Sequence, residues 1–408
     1  AKLFGALGRA AVNVRAIAQG ASERNISAVI DAEDATRAVK AVHSGFYLSP
    51  QTISVGLIGA GTVGSALLEQ FAAELPRLQR DFNLDLRIRG IATSTRMLTE
   101  ERRLDPSGWQ SALEQRGETL DMARFVAHIH AEHLPHAVLI DCTADQGIAD
   151  RYAGWLDQGI HVVTPNKKAN TSSLDYYLRL MAARLRGGSR YFYETTVGAG
   201  LPIVHTLRDL RQTGDSILAI EGVLSGTLAY LFNVFDGSRP FSEIVREARD
   251  MGYTEPDPRD DLSGMDVARK VVILGREMGL SLELSGVEVE SLVPAGLEEG
   301  DVDAFLDGLA AHDETFNSRL AKAQAAGEVL RYVGRLQPGG RVSVGLEQLP
   351  GDHPFARISL TDNIVQFKTH RYHENPLIVR GPGAGPAVTA AGVFSDLLRL
   401  SANLGANL

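Results

Sequence analysis

The stretch ISVGLIGAGTVGSALLEQF, residues 53–71, joins an apolar run, a glycine-rich turn and a segment with helical spacing. The apolar run predicts a buried strand and the last segment predicts a helix. The three glycines allow a tight turn and let a pyrophosphate approach the backbone at the helix N-terminus. The motif alone is weak evidence, but a strand and a helix flank it in the required order. We therefore expect a dinucleotide site here, the alternative being a glycine turn that only packs helix on strand. The expected contacts are Gly59, Gly61, Thr62, Val63 and Gly64.

Outward from this turn, further strands alternate with helical segments. The expected strands are LRIRGIAT (86–93), HAVLIDCTA (136–144) and HVVTPNK (161–167). This alternation predicts an α/β fold with a doubly wound, Rossmann-type parallel sheet. After about residue 190 the pattern becomes mixed, starting with the strand-like RYFYETTV (190–197), and predicts a second α+β domain. A last amphipathic helix follows the glycine cluster GPGAG (381–385).

The N-terminal part has a different pattern. Residues 3–11 have helical spacing, residues 12–23 and 25–32 alternate like half-buried strands, and a second helical segment reaches Tyr47. This α-β-β-α unit is too small to be stable alone, and SPQT (49–52) is typical of a linker. We expect a regulatory segment at 1–48, a dinucleotide-binding domain at 49–200 completed by 378–408, and a catalytic and dimerisation domain at 201–377. Residue 1 is Ala, so we expect a fragment of a longer protein.

The composition excludes several classes of function. A formal net charge of −9 argues against binding to nucleic acid or anionic lipid. We find no apolar run near the roughly 18 residues of a membrane span, and no signal-peptide pattern, so we expect a cytoplasmic protein with a small-molecule substrate. Cys142 is the only cysteine, which excludes an internal disulfide and a thiolate metal cage. The eleven histidines form no ligand motif, so we expect no metal catalysis.

The end of the second strand bears on the cofactor. Its sequence, ATSTR (92–96), lacks the acidic residue that would hold a ribose 2′-hydroxyl. Arg96 would instead suit a 2′-phosphate, which favours NADP over NAD. A solvent-facing arginine is the alternative.

Polar residues follow two later strands. Thr143 comes after Cys142 at the end of one, and Lys167 and Lys168 follow the other. Ligands of doubly wound sheets gather at the C-terminal ends of the strands, so both tips are expected to face the cofactor. One lysine of the pair is expected to point inward, beside the nicotinamide, the alternative being a pair of surface lysines.

The stretch GYTEPDPRDDLSGMDVARK, residues 252–270, concentrates charge before an apolar helix. We expect that helix to begin near Ser263 or Gly264, which puts Asp266 and Lys270 on one face. An exposed pair at this spacing adds only a few tenths of a kcal/mol to a helix and is common. Here apolar residues surround the pair, and a partly buried lysine among carboxylates can exchange a proton with a reacting oxygen.

These motifs occur together in one known family. The glycine turn, TPNKKA (164–169), ETTVGAGLP (194–202), SGT (225–227), the charged stretch and GPGAG, in this order, resemble homoserine dehydrogenase. The resemblance covers residues 53–408. Residues 4–31 are similar to the end of the ACT regulatory region of aspartate kinase. The likeness implies a parent bifunctional aspartate kinase–homoserine dehydrogenase of threonine and methionine biosynthesis, with the kinase catalytic domain absent from this chain.

The resemblance implies a reaction and roles for its residues. NAD(P)H would reversibly reduce aspartate 4-semialdehyde to homoserine, with Lys270 as the expected proton donor and Lys167 assisting. Which lysine carries the proton is left open by the sequence. The substrate would bind to Glu255, Asp261, Asp266, Gly226 and Thr227. Gly252 and Gly385 would lie near the nicotinamide, and the remaining expected cofactor contacts are Arg96, Thr143 and Lys167.

The resemblance also implies a monovalent cation, expected to be Na⁺. Its ligands would be Glu194 and the carbonyls of Val197, Ala199 and Leu201. The alternative is that Glu194 caps the turn that follows it.

Two other functions compete with this one. An acylating semialdehyde dehydrogenase would need a cysteine thiolate, for which only Cys142 is available. A regulatory amino-acid-binding protein could keep the fold without turnover, although the set of Lys270, Asp266 and Glu255 argues against it. We also expect a homodimer or a higher oligomer, because half of an ACT unit leaves apolar helix faces that need cover.

Overall fold

The computed structural model of the chain describes residues 2–19, 26–35, 37–39, 41–42 and 52–408. At the N-terminus, helix α1 (Lys2–Arg9) precedes an antiparallel pair of strands, β1 (Val14–Gln19) and β2 (Ile26–Ile30). Helical residues follow at 35, 37–39 and 41–42, in the predicted order. The end of the predicted second helix and residues 49–51 of the predicted linker lie outside the described residues. Thr52 already belongs to the next strand.

A seven-stranded sheet carries the glycine-rich turn. Its order is β6-β5-β4-β3-β7-β8-β9. The strands are β3 (Thr52–Ile58), β4 (Asp85–Ala92), β5 (Arg96–Thr99), β6 (Glu118–Thr119), β7 (His136–Asp141), β8 (His161–Val163) and β9 (Tyr191–Phe192). The neighbouring pairs β4–β3, β3–β7, β7–β8 and β8–β9 are parallel, as predicted. All seven residues of β3 are buried, as expected for a parallel sheet covered on both faces.

Two features of this sheet differ from the sequence-based expectation. β5 and β6 add an antiparallel edge that was not predicted. The predicted strand at 190–197 ends at Phe192, because Glu194 adopts helical backbone angles and a short helix follows. The helices of this part are α2 (Thr62–Phe82), α3 (Trp109–Arg116), α4 (Met122–Ile129), α5 (Gln146–Ala149), α6 (Tyr152–Asp157), α7 (Lys168–Thr171), α8 (Leu174–Arg186) and α9 (Thr195–Gly198).

The second sheet has six strands in the order β11-β13-β12-β10-β14-β15. They are β10 (Ile217–Val223), β11 (Glu288–Val289), β12 (Glu328–Leu336), β13 (Val342–Pro350), β14 (Asp362–Thr369) and β15 (Leu377–Pro382). All neighbours are antiparallel except β11 and β13. The helices here are α10 (Ile203–Gln212), α11 (Gly226–Val234), α12 (Phe241–Asp250), α13 (Pro258–Leu262), α14 (Met265–Glu277), α15 (Val302–Leu309) and α16 (Asp313–Ala325). Single 3₁₀ turns occur at Ala32–Asp34, Pro106–Gly108, Leu284–Gly286, Ala310–His312, Pro338–Gly340 and Pro354–Arg357.

The last helix, α17 (Pro386–Asn403), returns to the first sheet. Phe394 meets Phe71 of α2 edge-on, with 5.0 Å between the ring centroids. Val393 and Leu397 belong to the same buried cluster as strand β3. β15 belongs to the second sheet, so the returning segment begins later than the predicted residue 378.

One apolar core continues from the first sheet into the second domain. It contains Ile58 and Ala92 of the first sheet together with Leu228 of α11 and Val267 of α14. This packing holds the C-terminal ends of β7 and β8 close to α14. Within the described part of the chain, no helix is long and apolar enough to cross a bilayer.

Candidate active site

The charged stretch folds into two helices separated by a glycine. Asp257 caps the short helix α13 by accepting from the Arg259 N–H, and its carboxylate also pairs with the Arg259 guanidinium at 2.7 Å. Gly264 then takes a left-handed conformation, with φ of 72°. A side chain there would collide with the Tyr332 hydroxyl, 1.8 Å from the position of a Cβ. Helix α14 follows and carries Asp266 and Lys270 on one face, as predicted from their spacing.

A carboxylate between two ammonium groups forms the centre of the site. Lys270 Nζ lies 2.9 Å from Asp266 Oδ2, and Lys167 Nζ lies 3.1 Å from Asp266 Oδ1. Lys270 also donates to the Leu224 carbonyl at 2.6 Å. Lys167 comes from the turn after β8 and Lys270 from the second domain. The structure therefore brings together three predicted residues that are up to 103 positions apart in the sequence.

The three side chains differ in exposure. The Lys270 side chain is 9% exposed, whereas those of Lys167 and Asp266 are 31% and 40% exposed. Burial lowers the pKa of Lys270, although the Asp266 charge opposes this. Burial alone would raise the pKa of Asp266, but the charges of Lys167 and Lys270 outweigh it and hold that pKa well below the usual range. The cluster therefore offers a buried acid beside an open carboxylate.

The acidic loop lies beside this cluster. The Glu255 N–H donates to Asp261 Oδ2 at 2.8 Å, and the Glu255 side chain is exposed. Burial raises the pKa of Asp261 to about 6, against the hydrogen bond from the Glu255 N–H. The Thr227 hydroxyl lies beside the same carboxylate and donates to the Tyr253 carbonyl oxygen at 2.6 Å. These contacts bring Thr227 and Asp261 of the predicted substrate set together.

The three glycines of the glycine-rich turn have different surroundings. Gly59 has φ of 88°, and a Cβ there would lie 2.6 Å from Thr143 Cγ2. A Cβ on Gly64 would lie 2.1 Å from the Gly59 carbonyl oxygen. Gly61 precedes α2, and no protein atom lies within 4 Å of the position of its Cβ. The space in front of Gly61 is thus open at a helix N-terminus, beside the free N–H groups that begin with Thr62 and Val63, and it fits the pyrophosphate of a dinucleotide.

This difference between the glycines gives a prediction. Gly61→Ala should keep the melting temperature of the protein and weaken NADPH binding at least about tenfold, because the new methyl group fills the space before the helix. Gly64→Ala should lower the melting temperature as well, since its Cβ collides with backbone. Thermal melts and fluorescence titrations with NADPH measure both effects. Unchanged NADPH affinity in Gly61→Ala would contradict the site.

The other predicted cofactor residues, Thr143, Gly252 and Gly385, lie in three separate loops. Thr143 follows β7 and touches the glycine-rich turn, as the Gly59 geometry shows. Gly385 directly precedes α17 with φ of 116°, and Gly252 has φ of 72° in an exposed turn. Gly226 begins α11, and a Cβ there would lie 3.8 Å from the Ala384 Cβ. Gly226 and the GPGAG loop are therefore neighbours.

Two backbone carbonyls hold the Arg96 side chain. Its guanidinium donates to the Gly117 carbonyl at 2.5 Å and approaches the Glu114 carbonyl at 3.4 Å. These carbonyls lie at the C-terminal end of α3, and a cation there is favourable. The side chain is half-buried rather than free in solvent. A role in binding a 2′-phosphate stays a prediction.

Glu194 fits the cap alternative. One carboxylate oxygen accepts from the N–H groups of Ile203 and Val204 at 2.6 and 2.7 Å. The other accepts from the His205 N–H at 2.7 Å, and the His205 ring Nε2 lies 3.4 Å away. The His205 Nε2 lies closer to Asp396 Oδ1, at 3.0 Å, so three backbone N–H groups use three of the roughly four lone-pair sites of the Glu194 carboxylate. The side chain therefore caps α10, and its role as a cation ligand stays a prediction.

The carbonyls of the same loop are the other predicted cation ligands. The Leu201 carbonyl accepts from the Ile203 N–H at 2.9 Å, which leaves it a second lone pair. Val197 is buried, and Ala199 has φ of 51° with its carbonyl oxygen close to Gly392 of α17. The cation site stays a prediction. Among the described residues, no group of three or more His, Cys, Asp or Glu side chains could hold a metal ion.

Comparison with known proteins gives the family. A model described as homoserine dehydrogenase matches residues 202–398, one described as homoserine dehydrogenase, NAD binding domain, matches 59–194, and an ACT domain model matches 1–46. A bifunctional aspartokinase/homoserine dehydrogenase 2, chloroplastic, from Zea mays is 53% identical over 407 residues, which are 99% of this chain and 44% of that protein. The chain belongs to the homoserine dehydrogenase family. The prediction made from the motifs is thus confirmed, as is the ACT region before residue 49.

Solved structures agree with this assignment. A protein of unknown function from Candida auris is 38% identical, with a TM-score of 0.80 and coverage of 87% of this chain and 99% of that one. A putative homoserine dehydrogenase from Archaeoglobus fulgidus is 25% identical, with a TM-score of 0.69, 86% of this chain and 99% of that chain covered. The predicted α/β class with a Rossmann-type sheet and a second mixed domain is therefore confirmed. The chain spans less than half the length of the curated relatives it matches.

Membership in the homoserine dehydrogenase family argues against the thiol-based alternative, and the environment of Cys142 agrees. Burial, with the neighbouring Asp141 carboxylate, raises the pKa of the Cys142 thiol. A raised pKa disfavours the thiolate that thioester formation needs. Cys142 acts as a packing residue beside the glycine-rich turn, where it lies against the apolar cluster of β3.

The sequence reasoning missed the Leu224 carbonyl, which contacts Lys270, and Asn363, which contacts that carbonyl. The Leu224 carbonyl accepts from Lys270 and from Asn363 Nδ2, the latter at 3.1 Å. Asn363 is fully buried, and a Cβ on Gly383 would lie 2.0 Å from its amide. A main-chain carbonyl leaves no trace in residue identity. Asn363 is the second residue of β14, and no motif in the sequence marked it as part of the site.

Proposed function

We propose that this chain catalyses the reversible, NADP(H)-dependent reduction of L-aspartate 4-semialdehyde to L-homoserine. The observation that carries the proposal is the Lys167–Asp266–Lys270 cluster, in which an acid from the second domain meets the tip of β8. When bound, the reduced nicotinamide supplies the hydride. The chain's own residues must bind the amino acid and deliver one proton to the carbonyl oxygen.

Lys270 suits the role of proton donor. An ammonium has three N–H bonds, and Lys270 uses two of them on Leu224 and Asp266 within the described part of the chain. One N–H is left for the substrate oxygen. Burial lowers the pKa of Lys270, which makes it a stronger acid at the moment when the oxygen gains negative charge. Lys167, on the other side of Asp266, is proposed to assist by holding that carboxylate and the reacting end of the substrate.

The acidic loop suits the other end of a zwitterion. Glu255 has an exposed carboxylate, and the Glu255 N–H donates to the Asp261 carboxylate. We propose that these two carboxylates bind the substrate ammonium, while Gly226 and Thr227 contact its carboxylate through the N-terminus of α11. Gly252 and Gly385 are proposed to flank the nicotinamide, where glycine leaves room for a flat ring.

The assay that tests the function measures NADPH oxidation with aspartate semialdehyde. We expect oxidation that depends on the semialdehyde and on neither phosphate nor coenzyme A. A requirement for phosphate or coenzyme A would indicate an acylating enzyme. Binding of amino acids without any NADPH oxidation would indicate a regulatory protein that kept the fold.

Asp261 gives a pH dependence. Its pKa of about 6 means that its carboxylate forms as the pH rises through 6. Because the charged form attracts the substrate ammonium, the KM for semialdehyde should fall across this range and level off above it. In Asp261→Asn this change should vanish, leaving a KM that stays high. The same fall in KM in the variant would show that another group is responsible.

Arg96 decides between the two nucleotides. We propose NADP, because the end of β4 lacks an acidic ribose ligand and Arg96 stands there with a cationic group. Since the guanidinium already binds two carbonyls, Arg96→Ala should lower kcat/KM for NADPH by only about tenfold, with NADH unaffected. An equal loss with both nucleotides would assign Arg96 to folding of the β5 edge.

Several further features belong to the proposal. We propose that the whole protein is a bifunctional aspartate kinase–homoserine dehydrogenase acting in the cytoplasm, although the related maize protein is chloroplastic by name. We propose a homodimer or higher oligomer, which light scattering tests. The divisions at residues 48 and 200 are proposed as domain limits, and the second domain is proposed to extend through β15, after which the chain returns to the first domain. A monovalent cation such as Na⁺ is proposed at Glu194 and the carbonyls of Val197, Ala199 and Leu201, tested by exchanging sodium for choline.

A further inference from the structure

A buried carboxylate lies directly beneath the two loops that face the cofactor. Asp141 is the last residue of β7 and is fully buried. Its carboxylate accepts from the Thr143 N–H at 2.8 Å, from Asn166 Nδ2 at 3.1 Å, and from the Tyr152 hydroxyl. An unpaired buried carboxylate is costly, and here it is stabilised by hydrogen bonds from neutral groups.

The same network extends along the loop after β8. The Thr164 hydroxyl donates to the Asp141 carbonyl at 2.8 Å and accepts from the Asn166 N–H at 2.9 Å. The Tyr152 hydroxyl lies 3.1 Å from the Thr164 hydroxyl. Asn166 Oδ1 in turn accepts from the Lys168 N–H at 3.0 Å. The residues on both sides of Lys167 are therefore tied to Asp141.

Neither loop needs a carboxylate at this position to complete a core. The surrounding groups are backbone, a phenol, a hydroxyl and an amide, and a smaller neutral residue with a water could satisfy several of them. What the carboxylate adds is a single acceptor shared by the Thr143 loop and the Lys167 loop. Thr143 touches the glycine-rich turn, and Lys167 reaches Asp266.

We infer that Asp141, oriented by Tyr152 and Asn166, is a positioning residue that sets Lys167 at its distance from Asp266 and Thr143 against the glycine-rich turn. This inference rests on the proposed function, since it assigns Asp141 a part in the same reaction. Asp141 touches none of the reacting groups; it acts through Lys167. A loosened loop would leave Asp266 and Lys270 in place but displace the second ammonium.

Tyr152→Phe is the mildest variant, because it removes one donor and keeps the ring. We expect kcat, expressed per NADPH-binding site, to fall roughly tenfold, which corresponds to about 1.4 kcal/mol in activation free energy. Tyr191→Phe is the matched control: Tyr191 lies against Tyr152, is equally buried, and its hydroxyl has no hydrogen-bond partner among the described residues. Its kcat should stay unchanged. Asp141→Asn places an amide N–H beside groups that themselves donate hydrogen bonds to this position. We therefore expect it to reduce kcat further.

A double-mutant cycle separates positioning from plain stability. If Asp141 acts through Lys167, adding Tyr152→Phe to Lys167→Ala should change kcat little further, whereas independent effects would multiply. Multiplying effects would overturn the inference, as would a lower melting temperature with normal kcat in Tyr152→Phe. An inactive wild-type enzyme would contradict the proposed function instead. If Asp141→Asn does not fold, the tyrosine variants still decide.

Discussion

The Lys270→Ala enzyme is expected to turn over aspartate semialdehyde more slowly by a factor on the order of 10² or more, the usual scale for an acid–base group. The variant loses the one N–H that the wild-type site keeps for the substrate oxygen. It also leaves Asp266 paired with Lys167 alone. NADPH binding should survive, because Lys270 lies on α14 and the glycine-rich turn lies at the end of β3.

Steady-state kinetics and NADPH titrations test this prediction together. Lys322→Ala is a suitable control, since Lys322 is an exposed lysine on helix α16. The control should match the wild type in both measurements. Near-wild-type turnover in Lys270→Ala would remove that lysine from proton transfer, and a comparable loss in Lys167→Ala alone would move the role there.

Asp266→Asn should produce a loss of similar size for a different reason. The amide keeps the shape of the side chain but removes the negative charge between two ammonium groups about 3 Å away on either side. Because this charge holds both ammonium groups in place and sets the pKa of the expected proton donor, we expect a loss of roughly 10²-fold in kcat/KM, the scale of acid–base catalysis.

The pH profile of Asp266→Asn separates this effect from misfolding. Reduction needs protonated Lys270, so kcat/KM for reduction falls as the pH rises through the Lys270 pKa. Asp266 raises that pKa against the effect of burial. Its removal should therefore shift the fall to lower pH. Asp260→Asn, at an exposed position of the same stretch, should leave the profile unchanged. An unshifted profile in Asp266→Asn would mean that Lys270 does not carry the titration.

The local parts of the site could be predicted from the sequence. The strand, turn and helix at 53–71 follow from apolar spacing and three glycines, and the structure has β3 and α2 there. The pairing of Asp266 with Lys270 follows from helical periodicity. The contact between Lys167 and Asp266 joins two domains. No local rule gives it, and only the resemblance to a family placed both residues in one site.

Local spacing did not decide the structural use of other charges. Glu194 is predicted to bind a cation or to cap the turn that follows it, and its carboxylate binds the first N–H groups of α10, because a helix N-terminus attracts an anion. Asp257, an acidic residue of the charged stretch, caps α13 and pairs with Arg259. In both cases the competing partner is backbone or a neighbour whose position depends on the fold.

The most direct test of the central claim is a crystal structure of the enzyme with NADP⁺ and homoserine. We expect the homoserine hydroxyl oxygen within about 3.2 Å of Lys270 Nζ, with the substrate ammonium beside Glu255 and Asp261. A hydroxyl bound to Lys167 instead, or remote from both lysines while Lys270 still contacts only Leu224 and Asp266, would contradict the account.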